Sequence, residues 1–320
     1  MKDNATKKPL RVGVCGVGSL GQHHARIYSE LEEAELVGVY DVDAGRAAEI
    51  SAKHGVRAFS DLRSFAEAVE AASIVVPTDK HHEVAALFME QGVHLLVEKP
   101  IASTTREAED LVARSQAKGV ILQVGHVERF NPVMRFLEEH IAQPRFIEAM
   151  RLAPFPPPRE GAMPRGTEVS VVLDLMIHDL EIILHLVRAP VKEIHAVGVS
   201  VLSPSEDIAN ARVIFEGGCV ANVTASRISQ KKMREIRVFQ ADSYVSLDYM
   251  NQAGQLARKT AAGVQVEPVP IDRGDALTEE LRSFVSCVMR RHEPVVSGRH
   301  GSDALRLAVE ICRVIRENPS

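Results

Sequence analysis

Residues 10–21 read LRVGVCGVGSLG. The apolar run Leu10–Cys15 predicts a buried strand, and Gln22–Leu31 predicts a helix. Between them lies Gly16-Val17-Gly18-Ser19-Leu20-Gly21, a G-x-G-x-x-G turn. In that context the motif brings a helix N-terminus onto a pyrophosphate. Gly16 permits the tight turn, Gly18 lets the backbone approach the phosphates, and Gly21 lets the helix pack close to the strand. The N–H groups and partial positive charge at the helix start then face the anion. Gly16, Gly18, Ser19, Leu20 and Gly21 are therefore candidate dinucleotide-binding residues.

The next strand, Leu36–Tyr40, runs into Asp41, 20 residues after Gly21. An acid there accepts hydrogen bonds from the ribose hydroxyls of NAD and repels the 2′-phosphate of NADP. Val42 follows, not an arginine that would pair with that phosphate. NAD is the expected cofactor; Arg46 nearby leaves NADP as the lesser alternative.

Downstream, helices and strands alternate. Helices are expected at Ala44–His54, Asp61–Glu70, His81–Gln91 and Thr104–Lys118. Strands are expected at Ala58–Phe59, Ser73–Val76, Leu95–Val97 and Ile121–Val124. This rhythm predicts βαβ units and a parallel sheet. Past residue 125 it changes. A proline-rich loop, Pro154–Pro158, precedes an apolar helix at Val171–Leu186. Closely spaced strands follow at Ile194–Val201, Ala209–Phe215, Val220–Ile228, Glu235–Phe239 and Tyr244–Tyr249, which read as antiparallel. Helices return at Ala276–Arg290 and Ser302–Arg316. The expected fold is an α/β Rossmann domain, residues 1–125, plus an α+β domain with a large, mostly antiparallel open sheet, residues 126–320. The last helices are candidates to pack back on the first domain.

A chain of 320 residues suits two domains at about 150 residues each. The net charge of -5 gives no nucleic-acid footprint. No apolar run approaches the roughly 18 residues that span a bilayer. Cys15, Cys219, Cys287 and Cys312 are scattered, with no C-x-x-C pair, so neither a metal site nor a disulfide framework is expected. A reducing, cytoplasmic setting fits. The polar start MKDNATKKP is no signal peptide, and the first nine residues read as a frayed tail.

Two further groups carry chemistry. Glu98-Lys99-Pro100 follows the strand Leu95–Val97, at the carboxyl end where ligands bind in an open parallel sheet. A lysine there can donate to a substrate oxygen; the plainer reading is a surface charge pair. Asp174 and His178 lie four apart in an apolar helix, hence on one face. Histidine is a natural proton acceptor for an alcohol being oxidised. The plainer reading is a satisfied core histidine.

With these residues in hand, the chain resembles the Gfo/Idh/MocA oxidoreductases, the glucose-fructose oxidoreductase and inositol dehydrogenase family. The resemblance rests on Gly16–Gly21, Pro77-Thr78…His82, Glu98-Lys99-Pro100 and Asp174-x-x-x-His178, and covers nearly the whole chain. It implies that Lys99 polarises the substrate oxygen, that His178 is the acid/base, and that Asp174 orients substrate or histidine. It implies that Pro77, Thr78 and His82 line the cofactor and that Glu98 lies near the nicotinamide ribose. It also implies a homodimer or homotetramer.

The segment Gly125–Pro132, GHVERFNP, together with LDLMIHD at Leu173–Asp179 and Ser226-Arg227-Ile228, is similar to a subgroup acting on nucleotide-linked amino sugars, UDP-N-acetylglucosamine 3-dehydrogenases among them. Arg129, Asn131, Arg151 and Arg227 are candidate substrate contacts. Arg159 and Arg165 also flank the proline-rich loop, and Lys231, Lys232 and Arg234 lie near Arg227. Arginine suits a diphosphate, whereas a solvated basic face is the plainer reading. With no Trp and 4% aromatic residues, a small or nucleotide-linked sugar fits better than a polysaccharide. Family members often carry a glycine pair before the D-x-x-x-H helix; here the stretch is Gly166-Thr167-Glu168-Val169-Ser170. The expected reaction is hydride transfer from a ring CH–OH to NAD. A free-sugar or inositol dehydrogenase, an NAD-dependent glycosidase with no net NADH, and an NAD-holding sensor are the competing readings.

Overall fold

Strand β1 (Leu10–Cys15) lies inside a six-stranded parallel sheet in the computed structural model, which describes residues 8–157, 166, 167 and 169–318. The other strands are β2 (Ala34–Tyr40), β3 (Arg57–Phe59), β4 (Ala71–Ile74), β5 (His94–Glu98) and β6 (Leu122–Gly125). Their order is β3-β2-β1-β4-β5-β6. The order reverses between β1 and β4, the switch point at which doubly wound sheets bind dinucleotides. The helices are α1 (Gly21–Glu30), α2 (Ala44–His54), α3 (Leu62–Ala68), α4 (Thr78–Glu90) and α5 (Thr105–Lys118). Local chemistry sets their ends. Asp43 caps α2 through the Arg46 N–H, and left-handed Gly55 ends it. Thr104 and Glu107 form a capping box on α5, which stops at left-handed Gly119.

The chain divides into two discontinuous compact units. The first comprises residues through Val127 together with Leu277–Ser302. It gains most of α8 (Ala276–Arg290), whose Leu281, Phe284, Val285 and Val288 join Val12, Val14, Ala25 and Tyr28 in one core. The second comprises Glu128–Ala276 and Asp303–Ser320. Helix α9 (Gly298–Glu317) begins in the first unit and continues into the second.

The second unit holds α6 (Pro132–His140), β7 (Phe146–Leu152), a π-helical turn at Val172–Met176 and α7 (Ile177–Val187). The remaining strands are β8 (Val191–Val199), β9 (Ile208–Phe215), β10 (Val220–Ser226), β11 (Met233–Phe239), β12 (Ser243–Asp248), β13 (Ala253–Thr260) and β14 (Gly263–Pro268). They form an eight-stranded sheet ordered β14-β13-β12-β11-β7-β10-β9-β8, with every pair antiparallel except β7 with β10. The sequence reading missed α6, β7, β13 and β14. Among the described residues no helix is long and apolar enough to cross a membrane. The four cysteines are free and buried. Residues 1–7 of the expected frayed tail and the whole stretch from 158 to 165, Arg159 and Arg165 included, lie outside the described residues.

Candidate active site

The three glycines of the turn differ in what surrounds them. Gly16 has φ +88, and a Cβ there would lie 2.5 Å from the Val75 carbonyl oxygen. A Cβ on Gly21 would lie 1.8 Å from the Gly16 oxygen. A Cβ on Gly18 would meet nothing within 4 Å, so this glycine borders open space. Ser19 is exposed beside it. Leu20 precedes α1 without a side-chain cap, so no side chain competes with a phosphate for the first N–H groups.

Asp41 closes the turn from β2. Its Oδ2 accepts the Val17 N–H at 2.8 Å and its Oδ1 the Asp43 N–H at 3.0 Å. Each oxygen keeps acceptor capacity for a ribose hydroxyl. Arg46 is held elsewhere, with Nε on the Val17 carbonyl (2.9 Å) and Nη1 on Glu49 (2.7 Å). Cradle, helix start and carboxylate together fit a dinucleotide, with NAD preferred over its 2′-phosphate form.

Pro77 and Thr78 open α4 beyond the end of β4, at the ligand-facing edge. His82 Nε2 meets Asp110 Oδ2 of α5 at 2.7 Å, and Arg114 with His82 holds that carboxyl below its usual range. A helix–helix ion pair holds its polar end in this structure, and its expected place along the cofactor remains an expectation. Its neighbour His81, which the motif reading passed over, is buried. Its Nδ1 lies 2.8 Å from the Pro100 carbonyl and its Nε2 2.9 Å from the Val76 carbonyl.

Glu98 ends β5 and is buried, with Oε1 3.3 Å from His24 Nε2 and Oε2 accepting the Lys99 N–H at 3.3 Å. Gly125, opposite Glu98 on β6, makes room for it; a Cβ there would lie 2.7 Å from Oε1. Glu280 of α8 is fully buried, and neither oxygen has a hydrogen-bond partner. Burial first, then the Glu98 charge, raises its pKa well above the usual carboxylate range. Lys99 is half-buried, and its peptide bond to Pro100 is cis.

In the second unit, Asp174 sits in the π-helical turn and His178 in the first turn of α7; both are half-buried. Single π turns are frequent at functional sites. The glycine that matters is Gly166. It has φ +82, and a Cβ there would lie 2.5 Å from Asp174 Oδ2. One glycine thus provides the close approach where relatives often carry a pair.

Arg227 holds that turn. Its Nη1 donates to the Gly166 carbonyl at 2.5 Å and the Val169 carbonyl at 2.8 Å, while Nε meets Asp207 Oδ1 at 2.8 Å. Asp207 also accepts the N–H groups of Val201, Leu202 and Ser203, and these bonds with Arg227 keep its carboxyl far below its usual range despite burial. Arg151 grips Asp179 with two bonds (2.8 and 3.0 Å) and Glu128 with a third (2.9 Å). Arg129 pairs with Glu181 at 2.8 Å and Glu138 at 3.2 Å. Asn131 caps α6 through the Val133 N–H and donates to Glu128 and the Tyr249 carbonyl. In this structure these four hold internal partners, and their expected contact with substrate remains an expectation. All are buried, and a diphosphate could reach their donors only by displacing these partners.

A glycine-cradled dinucleotide turn with an aspartate at the end of the second strand, carried on a chain with a large open-sheet unit, defines a nicotinamide-dependent oxidoreductase. More particularly, this chain belongs to the Gfo/Idh/MocA family. The profile described as "Oxidoreductase family, NAD-binding Rossmann fold" matches residues 10–126, and the "GFO/IDH/MocA C-terminal domain" matches residues 137–242. The chain is 36% identical to UDP-N-acetylglucosamine 3-dehydrogenase of Acidithiobacillus ferrooxidans, across 94% of this chain and 96% of that protein. It is 26% identical to Myo-inositol 2-dehydrogenase of Thermotoga maritima, across 97% and 98%. The solved structure of UDP-N-acetylglucosamine 3-dehydrogenase GnnA from Acidithiobacillus ferrooxidans superposes with a TM-score of 0.91 at 35% identity, across 97% of this chain and 99% of that one. The protein is an NAD-binding dehydrogenase of the sugar-oxidising family.

Proposed function

We propose that this enzyme oxidises the C3 hydroxyl of UDP-N-acetylglucosamine to a 3-keto sugar. The observation that carries this reading is the 36% identity to a UDP-N-acetylglucosamine 3-dehydrogenase over nearly the full length of both chains. Bound NAD supplies the hydride acceptor. Lys99 donates to the reacting oxygen and holds it in line. His178 takes the hydroxyl proton, and Asp174 orients the substrate or that imidazole. Pro77, Thr78 and Glu98 lie along the nicotinamide end of the cofactor, and Asp41 reads its ribose. The four free, buried cysteines suit a cytoplasmic enzyme, and the exposed face of the open sheet is the surface for a homodimer or homotetramer.

The test is NADH formation with a panel of UDP-sugars, free hexoses and inositols. Turnover of UDP-N-acetylglucosamine that disappears in His178→Ala supports the proposal. Turnover of an inositol alone transfers the enzyme to the second activity found among its relatives. Lys99→Ala should cut kcat by about 100- to 10,000-fold with NAD affinity retained; full activity in that variant removes Lys99 from the chemistry.

A further inference from the structure

The geometry points to His81 as a positioning residue for Lys99, acting as an imidazolium that donates one hydrogen bond to the Lys99-Pro100 turn and one to the end of β4. This rests on the reading of Lys99 as catalytic.

Both acceptors are backbone carbonyls. Nδ1 lies 2.8 Å from the Pro100 oxygen and Nε2 2.9 Å from the Val76 oxygen. A carbonyl oxygen can only accept. A neutral imidazole carries one N–H, so its bare nitrogen would set a lone pair against an oxygen lone pair at hydrogen-bond distance. Only the doubly protonated ring satisfies both contacts.

The two carbonyls also belong to the right places. Pro100 follows Lys99 directly, and Val76 precedes Pro77. The strands leading to them, β5 and β4, are parallel neighbours, so both turns lie at the sheet edge that receives ligands. One buried ring thus joins the turn bearing the lysine to the turn opening α4.

The charges around the ring are few. Glu98 on β5 acts on it, and the Ile101 carbonyl adds to the two direct acceptors. On its own helix, Lys80 pairs with Glu83 and His82 with Asp110. Burial pushes the His81 pKa down; the carbonyls and Glu98 push it back up, without cancelling the burial. The doubly bonded state therefore belongs to the acid side of the ordinary histidine value, about 6.5. Above its pKa the ring keeps one tie and loses the other, and the Lys99 turn gains freedom.

The experiment combines nitrogen-15 histidine NMR of the NAD-bound enzyme with steady-state kinetics of His81→Gln. As pH falls on the acid side of about 6.5, a growing fraction of His81 should carry protons on both ring nitrogens. His81→Gln should lower kcat about tenfold in that range, leave the KM for NAD within about threefold, and approach wild type at higher pH. A neutral His81 ring at every pH where the protein is folded overturns the proposal. So does a kcat deficit that is absent or independent of pH, which would mark a purely structural residue. If His81→Gln does not fold, His81→Asn replaces it, and the wild-type NMR decides the protonation state without either. Full turnover in Lys99→Ala would defeat the catalytic reading of Lys99 while leaving the NMR result standing.

Discussion

Asp41 does two jobs with one carboxylate. It ties the glycine turn to β2 through the Val17 N–H and keeps further lone pairs for the ribose we propose it reads. Hydrogen bonds to a charged group contribute about 1.5–3 kcal/mol each. Asp41→Ala should therefore weaken NAD binding about 10- to 100-fold, while NADP loses less because its phosphate no longer meets a carboxylate. Titration of both cofactors checks this, and an unchanged NAD:NADP preference would remove Asp41 from ribose recognition. Gly166 makes a parallel case in the second unit. Gly166→Ala would drive a methyl group into Asp174 Oδ2 at a positive φ, with Arg227 pinning the Gly166 carbonyl against retreat. The expected outcome is a loss of kcat of tenfold or more with NAD affinity intact. Wild-type turnover would mean that the Asp174 carboxylate can move without consequence.

At the scale of elements, β5 and β6 are joined by an acceptor that must stay neutral. His94 Nδ1 at the start of β5 accepts the Ile121 N–H just before β6, at 2.8 Å. Burial first, and then the charge of Arg291, lowers its pKa to about 4. The unfolded chain, titrating near 6.5, binds the extra proton first. Stability should accordingly fall as pH drops from about 6.5 towards 4, by about 1–3 kcal/mol once solvent screening is allowed for. His94→Gln should flatten that part of the Tm–pH curve; an unchanged slope would assign the acid loss to other groups. The elements differ in how openly the sequence declares them, and the reason is physical. β1 is buried along nearly its whole length and reads as an apolar run. β14 is exposed throughout, so its alternating Val264 and Val266 mark no buried face. β7 alternates, but its buried set includes Arg151, a charge neutralised by Asp179 and Glu128 from elsewhere in the chain. His81 was recoverable. It shares the buried face of α4 with Val84, Ala85 and Phe88 at helical spacing, and His82 falls off that face. The four buried arginine and asparagine contacts were not recoverable, because a basic residue that meets an anion and one that meets an internal carboxylate look alike until partners distant in sequence are brought together.

At the scale of the whole molecule, the sequence reading put the boundary near residue 125 with the last helices as candidates to pack back on the first domain, and the first unit includes residues 277–302, which follow the entire second sheet. The amphipathic face of α8 is visible in sequence, and its candidate partner domain too, but not the residues it meets. That partner is the core beneath β1 and α1. Leu281, Phe284, Val285 and Val288 are buried there with Val12, Val14 and Tyr28. A fully buried side chain of this kind contributes about 1.5–3 kcal/mol, so the four together contribute about 6–12 kcal/mol. That is comparable to the entire stability of an ordinary domain, about 5–15 kcal/mol. A chain ending at Ala276 keeps every glycine of the nucleotide turn and Asp41, yet it should lose cooperative melting of the nucleotide-binding unit, and NAD binding with it. Phe284→Ala in the full chain should reproduce the effect in part, at a cost of about 3–5 kcal/mol read by denaturant unfolding. If the truncated chain bound NAD with full affinity and melted cooperatively, α8 would be an accessory of the first unit and its core would close without it. The expected loss would instead mean that the nucleotide site is completed only when the segment after Ala276 has been made.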